Sequence, residues 1–284
     1  MPLGTEGDRM SIVTNLRGRL RNTSLPVSSG MLPLYEAVSN SIHAIEDSKI
    51  EADQGMITIH IIRDRQTAID FEGNSRRPGP EAKGDITGFK ITDNGIGFND
   101  ANMDSFLTLD SDYKVSRGGR GVGRLLWLKA FECVTVESIY ETKKGVLKKR
   151  SFRFDAHQGV SELPTSNVNA PSSQTVIHLS GFSKRYREAS RKTTKVIAKN
   201  LFEHCLWYFV RPGGAPTIKI IDNDETILLD NIYEEYMVAG ASQESIELKG
   251  TRFDLIHVKL SASSARGHSI AFCAANRLVT QENI

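Results

Sequence analysis

The sequence predicts an α+β fold: a mostly antiparallel sheet covered on one side by helices, followed by the start of a second, β-rich domain. Three observations carry this expectation. Between Leu32 and Asp47 the apolar residues Leu34, Val38, Ile42 and Ile45 recur at helical spacing and mark one buried stripe. Runs of strand length, rich in β-branched residues, stand at 56–63, 86–92, 134–140, 147–154 and 174–179, separated by polar turns. A Pro–Gly cluster, Arg211 to Gly214, then divides a long helical pattern from a tail of strand patterns.

In chain order, residues 1–23 are expected as an N-terminal arm: a flexible start, then a short basic helix from Ser11 to Arg21 that either packs on the body or reaches toward a partner. The main domain is expected over 24–211. After its first long helix, Met56–Arg63 and Thr67–Phe71 read as an antiparallel hairpin around the turn Asp64–Gln66, followed by a loop from Glu72 to Asp85. Strand Ile86–Thr92 leads into the turn Asp93–Gly97. A long polar segment precedes GGRGVGRLLWLKAF, whose glycines open an amphipathic helix. Three more strands and a helix over about 192–209 complete the domain. Residues 215–284 read as strands with no helix long enough to cover a sheet, so the chain is expected to contain only part of a second domain.

Composition narrows the function classes. Among 284 residues, 36 Lys and Arg against 34 Asp and Glu leave a net charge of +2, so no overall field commits the chain to nucleic acid or to an anionic membrane. Any such role is local. The basic clusters Arg17–Arg21, Lys143–Arg150 and Lys184–Lys192 read as solvated faces, with nucleic-acid contact as the alternative. Cys133, Cys205 and Cys273 are odd in number and in no metal-ligand spacing, which points to free thiols in a reducing compartment. The start, MPLGTEGDRM, has no apolar core of a signal peptide, and no run is apolar enough for a membrane span. A cytoplasmic protein without membrane contact is the expectation.

Three elements carry chemistry. Glu36 and Asn40, four residues apart on the first long helix, project from one face next to Ala44, away from the apolar stripe. An Asn oxygen suits Mg²⁺, a hard ion that prefers oxygen and retains waters, and a nearby Glu suits holding a water. The same pair also occurs on plain solvated helices. In ITDNGIGF, Asp93 ends a strand, and Gly95 and Gly97 let the backbone turn tightly under a flat ligand. An ionised Asp only accepts hydrogen bonds, which suits the exocyclic amine of adenine; a simple Asp–Gly turn is the alternative. In RGGRGVGRL, Gly119, Gly121 and Gly123 open a helix whose backbone N–H groups can hold phosphate. This is not a P-loop, because the Lys-Ser/Thr ending is absent.

In order and spacing these elements resemble the Bergerat-fold (GHKL) ATPases, the superfamily of gyrase B, the ninety-kilodalton heat-shock chaperone, histidine kinases and the mismatch-repair clamp MutL. EAVSNSIHAI is similar to the N-box, DNGIG to the first glycine motif, GGRGVG to the lid motif, and SQTVIHL to the closing strand with its nucleotide-facing Thr175. The resemblance covers about 24–209, and FCAANRLV is similar to a strand of the transducer domain in the gyrase, chaperone and MutL branch. It implies a two-layer Bergerat sandwich followed by a partial transducer-like domain. It also implies Glu36 as general base, Asn40 as Mg²⁺ ligand, Asp93 as adenine reader and Gly97 as the close-approach glycine. Gly119, Gly121 and Gly123 would wrap the phosphates, with Ala44, Gly95 and Val122 completing the nucleotide contacts. Lys114 is a phosphate contact or a solvated lid lysine.

Two positions depart from the pattern: His43 stands where Asp is common, and Gln174 where Gly is common before the Thr. Neither removes a group that the Mg²⁺ or adenine reading needs. His43 is expected as a hydrogen-bonding residue on the helix surface. The implied function is Mg²⁺-dependent ATP binding and slow hydrolysis to ADP, coupled to closure of a lid over about 99–120 and to nucleotide-dependent homodimerisation with exchange of the N-terminal arm. The alternative is an ATP-binding interaction module with little hydrolysis. Phosphotransfer of the histidine-kinase kind fits less well, because those proteins usually carry Asn where Glu36 stands. A protein client or DNA remains open as a further partner.

Overall fold

The computed structural model describes residues 15–64, 84–108, 123–190, 193–211, 213–237, 242–259, 269–274 and 277–283. Within them the chain is α+β, with a mixed nine-stranded sheet and seven α-helices. Helix α1 (Leu16–Asn22) is capped by Asn15, whose side chain accepts from the Gly18 N–H, and buries Leu20. Helix α2 (Leu32–Ser48) starts with Pro at its first turn and ends at Lys49 in the left-handed region, φ 59°. Its stripe Leu34, Val38, Ile42 and Ile45 is buried as the spacing predicts, each side chain contributing about 1.5–3 kcal/mol.

Strands β1 (Met56–Arg63), β2 (Ile86–Asp93), β3 (Phe131–Glu141), β4 (Leu147–Asp155), β5 (Gly159–Glu162), β6 (Ser166–Asn167), β7 (Gln174–Phe182), β8 (Thr217–Asp222) and β9 (Glu225–Leu228) form the sheet. Their order is β5-β4-β3-β7-β2-β1-β8-β9, with β6 also paired to β4. Among the described residues, only the β1–β8 pairing is parallel. One face is apolar: Ile57, Ile59, Phe89, Ile91, Val134, Val136, Ile177 and Leu179 are buried. Alternate residues such as Thr58, His60, Lys90 and His178 remain partly exposed on the other face, as a sheet covered on one side requires. Helices α3 (Asp100–Leu107), α4 (Gly123–Ala130), α5 (Lys184–Ala189), α6 (Thr194–Val210) and α7 (Leu229–Tyr236) complete the set. Helix α4 is tied to α2 by Trp127, buried, whose indole N–H donates to the Pro33 carbonyl at 3.1 Å.

Three sequence expectations change. The antiparallel partner of β1 is β2, not a strand at Thr67–Phe71, a stretch outside the described residues. The two strands meet where the Asp64 N–H donates to the Asp85 carbonyl at 2.9 Å. Next, the Arg211–Gly214 cluster does not end the sheet. Gly213 (φ 87°) and Gly214 (φ 68°) turn the chain so that β8 runs beside β1, and Ile218 and Ile220 enter the same core. A bidentate Arg63–Asp222 pair, both bonds 2.8 Å, with Thr194 Oγ1 donating to Asp222 at 2.6 Å, locks β1, β8 and α6 together. Third, ETILLDN is part strand and part helix. Helix α7 covers α6 through Phe202–Tyr236 and Phe209–Tyr233 ring contacts at 6.3 and 5.8 Å.

The division of the chain into 24–211 and 215–284 is therefore displaced: residues 217–236 belong to the main sheet and its core. Beyond them lie two separate hairpins, β10 (Ser242–Leu248) with β11 (Thr251–His257), and β12 (Ser269–Ala274) with β13 (Arg277–Asn283). The described part of the N-terminal arm packs on its own chain, with Lys129 Nζ donating to the Leu20 carbonyl at 3.0 Å. Residues 1–14 lie outside the described residues.

Candidate functional site

The candidate site forms where α2 crosses the end of β2. The buried stripe fixes the rotation of α2, and this leaves Glu36, Asn40 and Ala44 as a half-buried row at spacing i, i+4, i+8. The structure thus brings together the pair that the sequence put on one face. Asn40 makes no hydrogen bond among the described residues, so its amide oxygen is available to a ligand.

Asp93 closes β2 with its carboxylate buried and fixed. The Ser41 hydroxyl donates to Oδ2 at 2.7 Å and the Gly95 N–H to Oδ1 at 3.0 Å. A carboxylate offers about four acceptor positions, and these two bonds hold it in place. Gly95 lies against α2: a Cβ there would come 2.5 Å from the Ala44 carbonyl carbon, and the next residue, Ile96, donates its N–H to the Ala44 oxygen at 2.9 Å. Gly97 has φ 79°, and a Cβ on it would fall 2.6 Å from the Ile139 oxygen. Both glycines are required by geometry, one by close approach and one by close approach and φ together.

The far side of the turn is held as firmly. Asn94 bonds the Met56 N–H and the Gln54 carbonyl, and Asn102 in α3 donates to the Gly97 carbonyl at 2.8 Å. Arg150 donates to the Phe98 carbonyl at 2.7 Å while pairing with Asp100 and Glu162. The Phe98 N–H donates to Ser138 Oγ at 2.8 Å, and that hydroxyl lies 3.0 Å from Thr175 Oγ1. Thr175 sits directly opposite Asp93 in the β2–β7 ladder and is buried beside it. Tyr140 lies next to Gly97, and burial lifts its phenol above the usual value, with Arg150 pulling the other way.

Glu36 and Gly123 meet at the opposite end of the α2 row. A Cβ on Gly123, the first residue of α4, would lie 2.8 Å from Glu36 Oε2. Beside it, Arg124 donates to the Ser105, Phe106 and Thr108 carbonyls, joining the start of α4 to the end of α3. The remaining candidates Lys114, Gly119, Gly121 and Val122, and most of the expected lid, lie outside the described residues.

His43 corrects an expectation. It is not on the helix surface but buried between α2 and α6, with Nε2 3.0 Å from the Tyr208 hydroxyl. Gln174 is exposed, one residue before the buried Thr175. Sequence reasoning missed Ser41, Ser138 and Arg124. Ser41 carried a signal: it lies three residues after Val38 and four before Ile45, a hydroxyl within an apolar stripe that must find a buried partner. Cys133 and Cys205 are buried thiols in no disulfide, and burial raises the Cys133 thiol.

Among the described residues no helix is long and apolar enough to cross a membrane, and no group of three His, Cys, Asp or Glu side chains gathers as for a transition-metal site. A single amide oxygen beside an anionic substrate is instead compatible with Mg²⁺, which keeps most of its waters. The sequence matches no protein-family model and has no significant similarity to a curated protein.

Proposed function

We propose that the chain binds ATP with Mg²⁺ and hydrolyses it slowly, as a Bergerat-type ATPase. The observation that carries this reading is the buried Asp93 carboxylate, fixed by Ser41 and Gly95 beside the half-buried row Glu36, Asn40 and Ala44. Asp93 accepts from the adenine amine, and the Gly95–Gly97 turn, packed against Ala44 and Ile139, holds that carboxylate in place. Asn40 holds Mg²⁺ through its oxygen, and the ion, when bound, neutralises phosphate charge. Glu36, at the end of the row next to Gly123, takes the proton of the attacking water. The loop glycines Gly119 and Gly121, with Val122 and Lys114, then enclose the phosphates. Closure around the triphosphate favours a homodimer.

Glu36→Gln tests the reading. The variant is expected to bind a non-hydrolysable ATP analogue as the wild type does and to lose turnover by ~10²–10⁴-fold, the usual share of a general base. Wild-type turnover by Glu36→Gln would remove Glu36 from the chemistry. Absence of analogue binding by the wild-type chain in calorimetry would overturn the function itself.

A further inference from the structure

Two basic clusters far apart in the sequence converge in the fold on a pocket that shares no residue with the nucleotide site. Arg21 at the end of α1, Lys129 near the end of α4 and Arg185 in α5 line an open surface hollow together with Leu128, Ser183 and Tyr186. None of the three cations pairs with a carboxylate among the described residues, whereas their neighbours do: Lys184 with Glu188 at 3.8 Å and Arg187 with Asp85 at 3.6 Å. The third basic cluster differs, because Lys149 pairs with Glu137, and Arg150 with Asp100 and Glu162. Helix α1 contributes no acid, and its Arg17 is turned away to the Ala156 carbonyl and the His157 ring.

The lining also says how an anion would be held. Lys129 is anchored by the Leu20 carbonyl at 3.0 Å, which leaves further N–H groups of its ammonium to donate. The Tyr186 ring is buried, its hydroxyl donates to the Leu25 carbonyl at 3.1 Å, and the Arg185 guanidinium lies 5.8 Å from its centroid. The pocket therefore presents cations and no exposed ring on which an unpaired base can stack. Cations without a stacking platform suit phosphodiester groups whose bases are paired and turned away.

We propose that this pocket is a phosphate-binding site that grips the backbone of duplex nucleic acid without reading its sequence. Fluorescence anisotropy with a labelled duplex of arbitrary sequence tests it. With three phosphate contacts, affinity is expected to fall ~40-fold between 50 and 200 mM salt, and only ~3- to 4-fold once two contacts are removed. Arg21→Glu combined with Arg185→Glu removes two contacts at exposed positions, so its unfolding midpoint is expected to match the wild type. A control pair, Lys143→Glu with Lys144→Glu at the exposed β3–β4 turn, is expected to bind as the wild type does. Unchanged affinity and salt dependence in the pocket variant overturns the proposal, as does an equal loss in the control. Tighter binding to single strands, or to an acidic peptide, overturns the duplex assignment. The readout needs no nucleotide, so it stands or falls separately from ATP binding.

Discussion

Asp93→Asn separates the acceptor role of this side chain from its structural role. In the wild type, Oδ1 takes the Gly95 N–H and Oδ2 the Ser41 hydroxyl. An Asn can keep its oxygen on the Gly95 N–H and turn its NH₂ to Ser41, whose hydroxyl accepts as readily as it donates. Both bonds survive as neutral ones, so stability is expected to fall by no more than about 1–2 kcal/mol. The ligand side changes sign. The second amide hydrogen would face the amine of the proposed adenine ligand, donor against donor, at a cost of about 1–3 kcal/mol, or roughly 5- to 150-fold in affinity. Calorimetry with an ATP analogue and thermal unfolding read the two effects separately. Ser41→Ala is the companion variant: it removes a donor but keeps the carboxylate, and is expected to lose about 1 kcal/mol of stability with near wild-type nucleotide affinity. Wild-type affinity in Asp93→Asn would refute the adenine-reader assignment. An equal loss of affinity in Ser41→Ala would show that turn geometry, not the acceptor, governs binding.

Two further outcomes follow from the same contacts. Gly123→Ala places a methyl group against the flexible end of Glu36, so the unfolding midpoint should hold while turnover falls at least tenfold through displacement of the proposed base; unchanged steady-state turnover would argue against Glu36 acting from this position. On the outer sheet face, His60 and His178 have pKa values lowered by burial first and then by Lys90, with Lys219 also acting on His60 and Glu137 opposing on His178. Their neutral rings therefore contribute stability that is complete above the unfolded value of 6.5 and is lost as pH falls toward the lowered folded values. Unfolding midpoints measured from neutral to mildly acidic pH should decline, and His60→Gln with His178→Gln should flatten the decline; an identical slope in the double variant would exclude these rings as its source.

What was legible in the sequence was local. The stripe Leu34, Val38, Ile42, Ile45 fixed both the helix and the row Glu36, Asn40, Ala44 on its other side, because helical periodicity ties one to the other. Strand β1 and the end of β2 at Asp93 were legible because their alternation ends at turn residues. Pairing was not. Nothing in Thr217–Asp222 states that it runs parallel to β1, and the buried Arg63–Asp222 bond joins residues far apart in the chain. The short helix α7 follows β9 without an intervening Gly or Pro, so the usual punctuation between elements is missing. His43 was misplaced for a related reason: a polar residue on a helix reads as surface until a partner such as Tyr208 is known to face it.

The two ends of the site are supported unequally, and this decides how variants there will behave. At the Asp93 end, bonds arrive from α2 through Ser41 and Ala44, from β1 through Met56, from α3 through Asn102, and from β3 and β4 through Ser138 and Arg150. Five elements converge on one turn, so its geometry is set before any ligand arrives, which lowers the ordering cost of binding. The same convergence couples binding to folding, since a change at Gly95 or Gly97 disturbs helix and sheet together. At the Glu36 end the approach of Gly123 is a contact with the tip of a side chain, and Arg124 secures α4 to α3 through backbone carbonyls. Substitutions there leave the frame intact and act on chemistry. Substitutions at Gly95 or Gly97, which displace the backbone itself, should therefore lose stability and affinity together, whereas variants around Glu36 should lose turnover alone.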